Sequence, residues 1–130
     1  MNYRILIVDD EEPVNKLLLL ILARHEKHTF TVYSANNGAV GVDMYNKQVS
    51  DGRKKIDLVL MDLRMPVMDG VEATIRIMAN DPKANIYLFT VHAKTGIEEE
   101  ALDAGARGTI SKSSYWYMTV NEIVNILESG

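Results

Sequence analysis

Apolar residues alternate along this chain between runs that suit strands and stripes that suit helices. Ile5-Leu6-Ile7-Val8 is an unbroken β-branched and leucine run, the pattern of a strand covered on both faces in a parallel sheet. Pro13 suits a first helical turn, and Val14, Leu17, Leu18, Ile21 and Leu22 then recur at helical spacing. Residues 30–35 predict a second strand, and Asn36-Asn37-Gly38 opens a second helix with Val42, Tyr45 and Val49 on one face. The polar stretch 50–55 predicts a solvated loop. Residues 57–61 predict a third strand ending at Asp62, and residues 63–70, with Pro66 and Asp69-Gly70, a shaped loop. Val71, Ile75 and Met78 mark a third helix that stops near Asp81-Pro82. Residues 86–89 predict a fourth strand ending at Thr90. A short acidic helix follows, with Ile97 and Ala101 inward and Gly105 as its C-cap. Residues 108–111 form a last strand ending at Lys112, and Val120, Ile123, Val124 and Leu127 define the final helix.

A βα unit repeated five times predicts parallel strands joined by right-handed crossovers, with helices on both faces of the sheet. No linker divides the chain, so one α/β domain over residues 1–130 is expected. A hydrophobic fraction of 47% with 25% charged residues excludes a disordered or low-complexity chain. The net charge of −4 argues against nonspecific nucleic-acid binding, which needs a basic face. The absence of cysteine rules out disulfides, thiolate metal sites and a cysteine nucleophile, and suits a reducing cytosol. The apolar run at 5–8 is too short for a secretory signal. The run at 17–23 falls well below the roughly 20 residues of a membrane span. A cytoplasmic, soluble protein is expected.

The chemistry collects at strand ends. In open α/β sheets ligands sit beyond the carboxyl ends of the strands, where the strand order reverses. Asp9 and Asp10 follow the first strand, Asp62 the third, Thr90 the fourth and Lys112 the fifth. Each placement is unremarkable alone; together they deliver three carboxylates, a hydroxyl and an ammonium to one rim. Clustered carboxylates repel unless a cation compensates, and oxygen-only ligands favour a hard ion, best Mg²⁺. An aspartate beside such an ion is a nucleophile toward phosphorus.

The motifs Ile5-Leu6-Ile7-Val8-Asp9-Asp10-Glu11 and Met61-Asp62-Leu63-Arg64-Met65-Pro66-Val67-Met68-Asp69-Gly70 resemble the receiver domain of two-component response regulators. Thr90 after an apolar strand, and Ala104-Gly105-Ala106-Arg107-Gly108 leading to Lys112, extend the likeness over nearly the whole chain. The resemblance implies a flavodoxin-like three-layer fold with a five-stranded parallel sheet of order 2-1-3-4-5 and five helices. It implies that Asp62 is the phosphoacceptor, that Asp10, Asp62 and the backbone carbonyl of Arg64 bind Mg²⁺ directly, and that Asp9 binds it through water. Thr90 and Lys112 would contact the phosphoryl group. The implied donor is a phosphohistidine on a sensor histidine kinase or a histidine phosphotransfer protein, and the implied output an effector protein or fused output domain. Such a switch catalyses its own phosphorylation and is no turnover enzyme on a separate substrate. It binds neither nucleic acid nor membrane.

The chain departs from the family pattern at several points. Thr109 stands three positions before the lysine, where an aromatic residue usually turns inward on activation; a threonine cannot fill that space. Ser113 replaces the usual proline, and a cis peptide there would cost about 2.5–4 kcal/mol, so a trans bond or a strained loop is expected. Val91 replaces a smaller residue, and Arg64 and His92 occupy positions that tune acyl-phosphate lifetime. Elsewhere, His25 and His28 read as surface histidines and Glu98-Glu99-Glu100 as a solvated helix face. Leu19 and Leu20 fall off the inward stripe and suggest a partner-docking patch. Tyr115-Trp116-Tyr117 reads as helix packing or as an anchor for an effector or a dimer through the last helices. Two rival readings are a phosphorylation-independent receiver-like interaction module and a phosphatase with an aspartyl nucleophile. The second needs an acid/base carboxylate where Arg64 stands.

Overall fold

The computed structural model describes residues 1–50, 56–90, 96–112 and 115–129, with the side chains of residues 12–14, 49 and 50 excepted. Five βα units run in chain order: β1 (Asn2–Val8), α1 (Glu12–Ala23), β2 (Thr29–Ala35), α2 (Gly38–Ser50), β3 (Leu58–Met61), α3 (Gly70–Asn80), β4 (Ile86–Thr90), α4 (Gly96–Asp103), β5 (Gly108–Ser111) and α5 (Trp116–Ser129). The strands form one sheet of order β2-β1-β3-β4-β5, and every adjacent pair is parallel. This is the flavodoxin-like order, whose direction of winding reverses between β1 and β3.

Period-two alternation along the central strands divides the core into two layers. Leu6, Val8, Val59, Met61, Ile86 and Leu88 face one side, where Tyr45 of α2, Ala73 and Ile77 of α3 and Ala101 of α4 cover them. Ile5, Ile7, Leu58, Leu60, Phe89 and Ile110 face the other, under Leu18 and Leu22 of α1 and Val120, Ile123 and Leu127 of α5. The unbroken apolar run 5–8 is buried on both faces, as its composition requires, although β1 begins earlier, at Asn2.

Three helix faces differ from the sequence expectation. In α3 the buried residues are Gly70, Ala73, Thr74 and Ile77, while Ile75 is 46% exposed and Val71 and Met78 are only partly buried. Small residues let this helix lie close to the sheet, and Thr74 spends its hydroxyl on the Gly70 carbonyl at 2.7 Å. In α1 the inward residues are Asn15, Leu18 and Leu22; Leu17 and Leu20 are exposed and Leu19 is half-buried. In α4 Glu98 is buried, so only Glu99 and Glu100 form a solvated face. His28 is likewise no free surface histidine. Its side chain is 9% exposed, and its Nε2 lies 2.7 Å from Glu128 on the last turn of α5. The readings for Val14, Val49, residues 51–55, Val91, His92 and Ser113 lie outside the described residues and side chains.

The loops at both edges of the sheet are held by their own chemistry. Gly105 adopts φ +125° after α4, with Ala106 N–H bonded to the Ala101 carbonyl and Gly105 N–H to that of Leu102, a Schellman end. Between β3 and α3, Gly70 packs so near the Asp62 carbonyl that a Cβ would overlap it, and its N–H donates to the Leu63 carbonyl at 2.9 Å. Asp69 caps α3 by accepting the Glu72 N–H. In the same loop Met68 N–H reaches back to the Pro66 carbonyl at 2.8 Å, forcing Val67 to φ +70° with its side chain 85% exposed. A β-branched residue is strained there, and solvent offers its side chain nothing in return. Val67→Asn is expected to raise stability by about 1 kcal/mol, read as a higher urea midpoint at unchanged slope. A lower midpoint would show that the turn carries no strain.

Candidate functional site

Every strand that ends at the central carboxyl edge contributes to one pocket. After β1 the chain continues extended for one residue, so Asp9 and Asp10 diverge: Asp9 is fully buried and Asp10 exposed. Asp9 N–H donates to the Ala35 carbonyl at the end of β2, and Asp62 N–H donates to the Val8 carbonyl. These two bonds fix the acidic residues to the strands beside them. One carboxylate oxygen from each of Asp9, Asp10 and Asp62 lies within 4.8 Å of the others.

Lys112 closes the pocket from β5. Its backbone N–H donates to the Thr90 carbonyl at 2.9 Å, which places the hydroxyl-bearing residue of β4 beside it on the same edge. Its side chain is 3% exposed, and its Nζ lies 2.6 Å from Asp9 Oδ2, 3.6 Å from Asp62 Oδ2 and 3.6 Å from Glu11 Oε1. The ammonium also stands 5.3 Å above the Phe89 ring. Asp9, Asp10, Asp62 and Lys112 are therefore brought together as the strand ends imply. Arg64 is exposed in the loop after Asp62. Thr109 is exposed on β5, consistent with a residue that does not fill an inward aromatic space.

The sequence did not single out four other contributors. Glu11 adds a carboxylate to the Lys112 shell, and its N–H donates to Asp9 Oδ1 at 2.9 Å. Leu63 N–H donates to Asp62 Oδ1 at 2.9 Å. Phe89 supplies an aromatic floor, and Asn15 bonds the Asp9 carbonyl. Glu11 and Leu63 stand inside the quoted motifs without a role of their own, and Asn15 is a polar residue at helical spacing from Leu18 and Leu22.

The electrostatics are unbalanced. Burial, foremost, and the neighbouring Asp9 and Asp10 charges raise the Asp62 carboxyl to about 6, against the pull of Lys112 and the Leu63 N–H. Burial also pushes Asp9 upward despite its contact with Lys112. For Lys112 burial opposes the charge, but Asp9, Asp62 and Glu11 outweigh it, so the ammonium holds its proton more firmly than a free lysine. Three carboxylates against one ammonium leave negative charge uncompensated. An oxygen-only donor set of this charge suits a hard divalent cation.

A doubly wound parallel sheet with an acidic, lysine-bridged pocket at its switch point places the chain in the flavodoxin-like class of α/β proteins. The chain belongs to the response regulator receiver domain family, whose pattern it matches over residues 5–125. It is 37% identical over 112 residues to the chemotaxis protein CheY of Halobacterium salinarum, covering 86% of each chain. It is 36% identical over 103 residues to the regulatory protein AtoC of Escherichia coli, matching with 79% of its own length but spanning only 20% of that protein. Among solved structures it resembles the CheX–CheY–BeF3–Mg²⁺ complex from Borrelia burgdorferi, with 26% identity, a TM-score of 0.79, and coverage of 95% of this chain and 88% of that one.

A group with a raised native pKa binds protons more tightly folded than unfolded, so its contribution to stability falls as pH rises between the two values. For Asp62 that window runs from about 4, the unfolded value, to about 6. In metal-free buffer, Asp62→Asn should be more stable than wild type at pH 7, by up to about 3 kcal/mol, and the advantage should vanish near pH 4. Thermal melts of both proteins across this range check it; a variant less stable at pH 7 would show the carboxylate to be fully compensated.

Proposed function

We propose that residues 1–130 form one receiver unit that takes a phosphoryl group onto Asp62 and signals by a change of conformation. The observation that carries this reading is the convergence of Asp9, Asp10 and Lys112 on the Asp62 carboxylate from separate strand ends. The free Asp62 oxygen attacks phosphorus of a phosphohistidine as the P–N bond breaks, and its electron pair returns to the imidazole ring. Lys112 pairs with a phosphoryl oxygen, Thr90 donates a hydrogen bond to another, and the Leu63 N–H holds the inner Asp62 oxygen still. Asp10, Asp62 and the Arg64 carbonyl, with Asp9 through water, would hold Mg²⁺, which when bound screens the charge on the phosphoryl oxygens. The Borrelia relative, whose structure contains BeF3 and Mg²⁺, supports this assignment by similarity.

The donor is a sensor histidine kinase or a histidine phosphotransfer protein, and the protein works in the cytoplasm as a switch without a separate substrate. Output passes to an effector protein or a fused output domain. Exposed Tyr115, Tyr117 and Met118 at the start of α5 provide the surface for that contact or for a dimer through the last helices. With Thr109 in place of an inward aromatic, transmission runs through Lys112 and β5 rather than through an aromatic rotamer.

Incubation with acetyl phosphate and Mg²⁺ should add one phosphoryl group to wild type and none to Asp62→Asn, read by intact mass. Lys112→Ala should slow the reaction by about 10²-fold or more. A folded, metal-loaded wild type that never gains mass would leave a phosphorylation-independent interaction module as the better reading.

A further inference from the structure

We propose that Asn15 is a positioning residue for the acid pair, holding the peptide between Asp9 and Asp10 so that both carboxylates are set for a divalent cation. The inference rests on the proposed function and assigns a further residue to that site.

Asn15 lies on the inward stripe of α1 and is 6% exposed. Its Nδ2 donates to the Asp9 carbonyl at 3.1 Å, a buried bond six residues away in sequence. That carbonyl belongs to the planar peptide that also carries the Asp10 N–H, so the amide fixes the plane from which the Asp10 side chain departs. Asp9 is otherwise tied at its N–H, to Ala35, and at its Oδ1, by the Glu11 N–H. Lys112 holds its Oδ2, and Asn15 supplies the fourth tie, the one nearest Asp10. Among the described residues no hydrogen bond or ion pair anchors the Asp10 carboxylate itself, which is exposed, so its aim depends on its backbone.

The other end of the amide points to the same conclusion. No protein group donates to Asn15 Oδ1, although it is buried. An uncompensated acceptor in a helix's core face offsets much of what the Nδ2 bond contributes to stability. An apolar side chain of similar volume would satisfy the fold at least as well. What it would not do is hold the Asp9 carbonyl. Groups that orient metal ligands from behind characteristically alter metal affinity about 10–100-fold when removed.

The test is calorimetric titration of Mg²⁺ into wild type, Asn15→Leu and Asn15→Ala, with thermal melts of the metal-free proteins. Asn15→Leu should melt within a few degrees of wild type and bind Mg²⁺ about 10–100-fold more weakly. It should need correspondingly more Mg²⁺ for half-maximal phosphorylation by acetyl phosphate, with the saturated rate near that of wild type. A purely structural role predicts the reverse, a lower melting temperature with Mg²⁺ affinity unchanged, and that result overturns the inference. Should the leucine variant not fold, the smaller alanine variant decides by the same two readouts. If wild type itself binds no Mg²⁺, the proposed function fails, and this inference with it.

Discussion

One ammonium inside an excess of buried carboxylate governs this molecule. Lys112 is almost wholly enclosed and is tolerated there because Asp9, Asp62 and Glu11 surround it. The carboxylates in turn are tolerated because Lys112 and two backbone N–H groups partly offset their repulsion. Neither partner can be buried alone, since an unpaired interior charge costs several kcal/mol. The topology brings them together: only the order β2-β1-β3-β4-β5 sets the end of β1 beside that of β3, with β4 and β5 close enough for a lysine to reach across. The residual negative charge suits the pocket to a further cation.

The distances within the cluster bear on how the proposed switch would work. Lys112 sits nearer to Asp9 than to Asp62, at 2.6 Å against 3.6 Å. Phosphorylation of Asp62 would add about one negative charge on the farther side of the ammonium. The balance between the two anions then shifts toward Asp62, and the lysine's preferred position shifts with it. Because Lys112 continues directly from β5 and its backbone is bonded to Thr90, such a shift would be felt by β5 and by β4 beside it. On the proposed function, the charge need only favour one of two packings of the last strand and helices.

The sheet was legible because buried parallel strands are continuous apolar runs, and the four principal site residues because they terminate those runs. What escaped depends on partners distant in sequence. His28 looked like a surface residue until Glu128, at the far end of the chain, was placed against it. Ile75 looked inward by spacing, but α3 approaches the sheet on Ala73 and Thr74, and the bulkier face turns outward. Asp9 and Asp10 are adjacent and chemically identical. Only the pleat of β1 decides that one is sealed beneath Lys112 and the other faces solvent. Asn15 drew no reading from the sequence, since its bond to Asp9 exists only in the fold.

Several local costs gather at one edge, although among the described residues Arg4 Nε, His28 Nδ1 and Asn46 Oδ1 are also buried without partners elsewhere. The raised Asp62 carboxyl, the positive φ of Val67, the crowding of Gly70 against the Asp62 carbonyl and the uncompensated Asn15 oxygen all belong to the carboxyl edge near β1 and β3. In the two core layers beneath, the strand residues are almost entirely buried and alternate cleanly between helices. A fold selected for stability alone would neutralise the edge with apolar residues, since none of these groups is needed to close the core. Their concentration around one carboxylate is therefore best explained by what that carboxylate must do. On the proposed function it must stay reactive, and it must remain short of positive charge until a cation and a phosphoryl group arrive.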